Sequence, residues 1–160
     1  MGYYNQVMTF GLEKFLQNCE ASGVSGLILP DMPYEIYLEQ HQDLFKQYNQ
    51  TITFLITPLT SEKRIKEIND ATTGFVYIVS SSATTGATSS NYNEDFLSKI
   101  SDLGLTKPHQ IGFGISTKDD VEKAWNYSNG AIIGSAFLRT LEQADTHFDT
   151  SIAKFIQQMK

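Results

Sequence analysis

Five short apolar runs recur along this chain, each followed by a stretch with helical patterning. That alternation limits the possible folds more than any other feature. The runs are 26–30 (Gly-Leu-Ile-Leu-Pro), 52–56 (Ile-Thr-Phe-Leu-Ile), 74–79 (Gly-Phe-Val-Tyr-Ile-Val), 110–115 (Gln-Ile-Gly-Phe-Gly-Ile) and 130–134 (Gly-Ala-Ile-Ile-Gly). Their apolar parts start near residues 27, 52, 75, 110 and 131, so the gaps are 25, 23, 35 and 21 residues. No hairpin signal joins any two of them. Unbroken apolar strands separated by amphipathic helices predict an α/β fold with a parallel sheet and helices outside it. An open doubly wound sheet and a (β/α)8 barrel both satisfy the pattern. A complete barrel takes about 250 residues, so a chain of this length holds about six βα units. On the barrel reading, residues 1–160 form one domain that is an incomplete barrel.

The intervening segments carry helix signals. Leu12, Phe15, Leu16 and Cys19 make one apolar stripe, which Ser22-Gly23 ends. Pro33 suits a first helical turn, and Ile36, Leu38, Leu44 and Phe45 follow it. Pro58 stops the second strand, and Thr60-Ser61-Glu62 provides a cap and an early acid for a helix bearing Ile65 and Ile68. Phe96, Leu97 and Ile100 mark another helix. Thr117 and Asp120 are spaced as a capping box ahead of Val121, Ala124 and Trp125. Phe148, Ile152, Phe155, Ile156 and Met159 share a face of the last helix. The opening residues, 1–8, read only as short, polar and aromatic.

Composition excludes several functions. A net charge of −6 without a Lys/Arg cluster disfavours a nucleic-acid partner or an anionic membrane surface. No apolar run is long enough to span a bilayer, and no secretory leader is expected. Met1-Gly2 lacks the Ser or Thr that myristoylation needs, since Gln6 stands there. The single cysteine, Cys19, rules out an intrachain disulfide and suits a reducing, cytoplasmic setting. His41, His109 and His147 show no ligand-pair spacing, so no metal is expected.

Two glycine-rich turns point to a phosphate. Gly112-Phe113-Gly114 ends one strand and Gly134-Ser135 ends the next, at the strand ends where parallel α/β folds hold ligands. Glycine lets main-chain amides approach a ligand, and amides at a helix start bind anions. The turns could also be merely tight connections. There is no Walker motif and no G-x-G-x-x-G, which disfavours a nucleotide. Asp31, directly after a buried strand, fits either chemistry on a substrate or the cap of the helix at Pro33. The tract 80–91 is long for a βα loop and has the small residues of a lid or of a plain linker. Cys19 lies on an apolar stripe and reads as core.

At these motifs the chain resembles the tryptophan synthase alpha subunit family. The resemblance is carried by 1–5 (Met-Gly-Tyr-Tyr-Asn), 26–33 (Gly-Leu-Ile-Leu-Pro-Asp-Met-Pro), 54–58 (Phe-Leu-Ile-Thr-Pro), 74–80 (Gly-Phe-Val-Tyr-Ile-Val-Ser), 85–87 (Thr-Gly-Ala), 112–116 (Gly-Phe-Gly-Ile-Ser) and 134–136 (Gly-Ser-Ala), in the family's order. It implies a (β/α)8 TIM barrel that cleaves indole-3-glycerol phosphate to indole and glyceraldehyde 3-phosphate. It also implies a beta subunit, in an alpha2beta2 complex, that carries pyridoxal phosphate, while the alpha subunit needs no cofactor. By position, Gly86, Gly114, Gly134 and Ser135 are similar to the family's phosphate cradle. Tyr3, Ile28, Ile56, Phe113 and Ile132 are similar to its pocket walls. Tyr77 and Thr85 resemble residues that support catalysis, Thr85 within the closing loop. Asn5 and Asp31 resemble residues that face the beta subunit. Ser81 stands where many members carry Arg.

The same resemblance implies an absence. The family's catalytic Glu on the first strand and Asp after the second have no counterpart here, because the resemblance starts at the third strand. The 160 residues alone are therefore expected to be inactive. Their open sheet edges are expected to drive self-association or pairing with the missing portion. Two other readings stay open: another phosphate-binding barrel of the phosphoribosyl isomerase type, and a non-catalytic ligand-binding or assembly fragment.

Overall fold

The structure is a computed structural model that describes residues 1–79, 93–144 and 147–160. The described chain forms two compact units. The first comprises Met1–Ile56, Thr60–Tyr77 and Leu105–Pro108; the second comprises Thr57–Leu59, Ile78–Gly104 and His109–Lys160.

The first unit opens with two helices, α1 (Tyr4–Phe10) and α2 (Leu12–Ala21), before strand β1 (Gly26–Ile28). Helix α2 buries Leu12, Leu16 and Cys19, the stripe expected from spacing. Helix α1 was not expected. Its N-cap residue, Tyr3, offers no capping side chain. The cap comes instead from Asp31, whose carboxylate accepts the N–H of Tyr4 at 2.7 Å and that of Asn5 at 3.3 Å. A cap supplied from 27 residues away leaves no local signature.

Residues 34–47 form α3 (Tyr34–Ile36), a π-helical turn (Tyr37–His41) and α4 (Gln42–Gln47). The buried positions are Tyr37, His41 and Phe45, whereas Leu38, expected on the core side, is exposed. Aromatic packing sets this register. The Tyr37 ring meets Phe45 edge-on at 5.3 Å and Phe54 at 5.5 Å.

The expected strand at 52–56 is present but divided at Phe54 into β2 (Thr51–Thr53) and β3 (Leu55–Ile56). β2 pairs in parallel with β1, with Leu27 opposite Ile52. This approach is close: a Cβ at Gly26 would lie 2.1 Å from the Thr51 hydroxyl, so glycine is required there. Helix α5 (Glu62–Ala71) is capped by Ser61, which accepts the Arg64 N–H. Strand β4 (Val76–Val79) follows, and the Tyr77 N–H donates to the Phe54 carbonyl at 2.9 Å.

The second unit contains α6 (Glu94–Asp102), β5 (His109–Gly112), α7 (Lys118–Trp125), β6 (Gly130–Ala131), α8 (Ser135–Glu142) and α9 (Phe148–Met159). α6 buries Phe96, Leu97 and Ile100 as its pattern requires. β5 and β6 pair in parallel, Gln110 with Gly130 and Ile111 with Ala131. Two expectations about burial fail in this unit. Trp125 is 54% exposed, and only Phe155 of the α9 face is buried. Trp125, Ile133, Phe155 and Ile156 instead border an open pocket of about 250 Å³. Among the described residues, no helix is long and apolar enough to cross a membrane.

Candidate functional site

The two glycine turns of the second unit lie side by side. Ile111 faces Ala131 in the parallel register, and the Ile132 N–H donates to the Ile111 carbonyl at 2.8 Å. Gly114 and Gly134 each follow one member of that Ile111–Ala131 pair by three residues. Neighbouring strands sit about 4.8 Å apart, so both turns emerge together at the carboxyl ends of adjacent strands.

The turn after β5 has an unusual backbone. Phe113 has φ 68° and Gly114 has φ 82°, two successive left-handed residues. A bulky side chain in that region carries strain, which persists where the surroundings impose it. Asp120 provides one such restraint. Its buried carboxylate accepts the Ser116 N–H (3.0 Å), the Ser116 hydroxyl (3.3 Å) and the Thr117 N–H (2.9 Å). The Thr117 hydroxyl oxygen in turn accepts the Asp120 N–H at 3.2 Å, completing the capping box. Gly114→Ala is expected to destabilise the protein by about 1–2 kcal/mol, since an L side chain is disfavoured at this φ. A shift of the urea midpoint without a change in slope checks it.

The two helix starts beside these turns differ electrostatically. α7 begins with Asp119 and Asp120 and its leading amides are capped, which closes it to an anion. α8 begins at Gly134 with no side-chain cap and no acid in its first turn. Among the described residues, nothing lies within 4 Å of a Cβ placed on Gly134. Ser135 stands at the first helical position and is half-buried. Of these two helices, only α8 presents a start that suits a dianion.

The remaining sequence-selected residues are distributed as follows. Tyr3 and Ile28 share a cavity of about 600 Å³ in the first unit with Val7, Phe10, Phe15 and Cys19. Ile56 is fully buried and is not part of that lining. Tyr77 is buried, its ring 6.4 Å from that of Phe75, and burial pushes its phenol up to about 12. Phe113 and Ile132 are half-buried in the second unit. Thr85, Gly86, Ser81 and the rest of the tract 80–91 lie outside the described residues. Among the described residues, no group of three or more His, Cys, Asp or Glu could hold a metal ion.

Asp31 does act as a helix cap, but on a different helix from the one expected. It caps α1 rather than the helix after Pro33. The Tyr4 N–H is the main cause that holds its carboxyl below the ordinary aspartate value. The stabilisation from a depressed carboxyl is complete above the unfolded value and is lost as pH falls through the native one. The amides of Tyr4 and Asn5 are therefore expected to lose hydrogen-exchange protection as pH drops below about 4, ahead of the α2 core.

Sequence reasoning also missed a contact between Tyr4 and His41. Their side chains share a 2.7 Å hydrogen bond that ties α1 to the π-helical turn. No spacing rule links a tyrosine and a histidine 37 residues apart. Cys19 is buried as core, and burial raises its thiol further from the reactive thiolate.

A family model described as tryptophan synthase alpha chain matches residues 1–160. The chain belongs to that family. The tryptophan synthase alpha chain of Flavobacterium psychrophilum is 40% identical over 161 residues, covering 99% of this chain and 62% of the relative. That of Karelsulcia muelleri is 47% identical over 157 residues, covering 98% and 61%. A solved Pyrococcus furiosus structure, described as the basis of mutual activation of the tryptophan synthase a2b2 complex, superposes with a TM-score of 0.83 at 29% identity. It covers 98% of this chain and 64% of the solved one. A second Pyrococcus furiosus alpha-subunit structure gives 0.81 at 28% identity. These likenesses decide between the two α/β architectures: the tryptophan synthase alpha fold is the (β/α)8 barrel family's, here in incomplete form. The chain spans about three-fifths of the length of the alpha-chain relatives it matches.

Proposed function

We propose that these residues supply the phosphate-gripping and part of the indole-binding side of a carbon–carbon lyase. Its reaction is the retro-aldol cleavage of indole-3-glycerol phosphate to indole and glyceraldehyde 3-phosphate in tryptophan biosynthesis. The observation that carries the reading is the uncapped, acid-free start of α8 beside the left-handed turn at Phe113-Gly114. There the amides after Gly134, the Ser135 hydroxyl and the main chain at Gly114 would hold the ester dianion; Gly86, outside the described residues, is assigned to the same role by family position only. Phe113 and Ile132 would form apolar wall, and Tyr3, Ile28 and Ile56 are assigned the same role by family position. Tyr77 would support the pocket, since a phenol raised this far keeps its proton at neutral pH. Thr85, outside the described residues, is assigned a supporting role by family position.

The reaction needs a proton placed on the indole ring carbon and another removed from a hydroxyl. We assign both steps to the family's Glu and Asp, which have no counterpart among these residues, so the 160 residues by themselves bind without turning over. No cofactor takes part in this half-reaction. The indole passes to a beta subunit holding pyridoxal phosphate, with Asn5 and Asp31 on the surface that faces it.

Calorimetric titration with indolepropanol phosphate tests the reading. Saturable 1:1 binding, lost in Ser135→Asp, is expected. Failure to bind it alongside tight binding of a ribosyl phosphate would replace the lyase reading with that of a phosphoribosyl isomerase.

A further inference from the structure

His41 is a buried polar side chain with no part in the proposed chemistry. It is 7% exposed and closes the π-helical turn Tyr37–His41. Tyr37, His41 and Phe45 are all buried, at spacings of four residues. Such steps overrun an α-helical turn of about 3.6 residues, and the wider π turn takes up the excess. The outer two members of this row are aromatic and meet edge-on. The middle one is polar, where a leucine would fill the row with no polar group to satisfy. His41 instead shares a 2.7 Å hydrogen bond with the Tyr4 hydroxyl, the two rings lying 5.7 Å apart.

Tyr4 is thereby held at both ends. Its hydroxyl is tied to His41, and its N–H donates to the Asp31 carboxylate at 2.7 Å. The same carboxylate accepts the Asn5 N–H at 3.3 Å. A seven-residue helix without a capping side chain of its own is marginal in isolation. Its start is fixed here by groups 27 and 37 residues away. Asn5 and Asp31, the two residues assigned a partner-facing role, are both exposed. They share a hydrogen bond, so what fixes Tyr4 also fixes their spacing.

We infer that His41 is a positioning residue: through the Tyr4 hydroxyl it holds the start of α1 against Asp31, and so sets Asn5 and Asp31 as a preformed contact face for a partner subunit. The identity of that partner rests on the proposed function; the positioning does not. A histidine that merely filled the core would leave Asp31 indifferent to residue 41.

NMR titration of the Asp31 carboxyl tests the inference, with amide exchange at Tyr4 and Asn5 read in the same samples. The Tyr4 N–H is the main cause that holds this carboxyl low, so its midpoint reports whether Tyr4 is in place. Tyr4→Phe keeps the ring and removes the hydroxyl. It is expected to raise the Asp31 midpoint toward the ordinary aspartate value and to speed both amides about tenfold. His41→Leu should do the same, and the double variant no more than either single one. His41→Gln, whose amide can still meet the hydroxyl, should keep most of the wild-type behaviour. Ile65→Val, a core change in α5, should lower stability and leave the Asp31 midpoint unmoved. An unchanged midpoint in Tyr4→Phe would overturn the inference, as would an equal shift in Ile65→Val. Calorimetric binding to a tryptophan synthase beta subunit should weaken about tenfold in Tyr4→Phe and stay near wild type in His41→Gln. Equal binding by wild type and Tyr4→Phe would overturn the contact face. If the wild-type chain does not bind the beta subunit, the proposed partner falls, while a midpoint raised in Tyr4→Phe still upholds the positioning.

Discussion

Given indole-3-glycerol phosphate, the 160-residue chain alone is expected to release indole at least about 10⁴-fold more slowly than an intact alpha chain. Each positioned acid or base contributes about 10²–10⁴, and the proposed reaction uses two. The ionisable groups near the strand ends do not replace them. Asp31 is engaged by two N–H groups and held below its ordinary value, so it carries no proton to donate near neutral pH. Asp120 is buried and spends its carboxylate on Ser116 and Thr117. The Tyr77 phenol stays protonated far above neutral pH, which removes it as a base. A spectrophotometric assay of indole release checks the expectation, and turnover within tenfold of an intact relative would refute it.

Much of the fold was legible because parallel βα chains write their burial locally. The strands at 26, 51, 76 and 109 and the helices at 62, 94 and 118 follow from contiguous residues and nearby caps. The capping box at Thr117–Asp120 was readable for the same reason, as both partners lie within one turn. What escaped notice depends on distant groups. Helix α1 is capped by Asp31, and the 34–47 register is set by the meeting of Tyr37, Phe45 and Phe54. Trp125 and the α9 face looked like core because apolar patterning reports which side could be buried, not whether something buries it. Of the site, the neighbouring turns at Gly114 and Gly134 were readable as glycine at strand ends. The second role of Asp120, holding the backbone of the first turn, was not. A capping residue and a residue that shapes a ligand loop have the same letter and spacing.

That second role makes Asp120 the position where substitution should do most harm. Asp120→Ala removes a buried carboxylate that accepts three hydrogen bonds and breaks one half of the capping box, while the Thr117 hydroxyl still accepts the N–H of residue 120. Hydrogen bonds to a charged group contribute about 1.5–3 kcal/mol each. The shared acceptor prevents simple addition, so the expected loss of stability is about 2–4 kcal/mol, read by urea unfolding. Phosphate affinity then separates two physical effects of opposite sign. By Coulomb's law alone, deleting a negative charge near the Gly114 turn should strengthen binding of a dianion. If the carboxylate instead helps to hold Phe113 and Gly114 in their left-handed conformation, its loss lets the turn relax and binding weakens. Weaker binding of indolepropanol phosphate is expected in Asp120→Ala, measured well below its unfolding midpoint. Asp120→Asn should fall between wild type and Asp120→Ala in both measurements, because its amide oxygen still accepts the Thr117 N–H. Tighter binding in Asp120→Ala would mean that charge dominates at this turn and that the capping box has no part in shaping it.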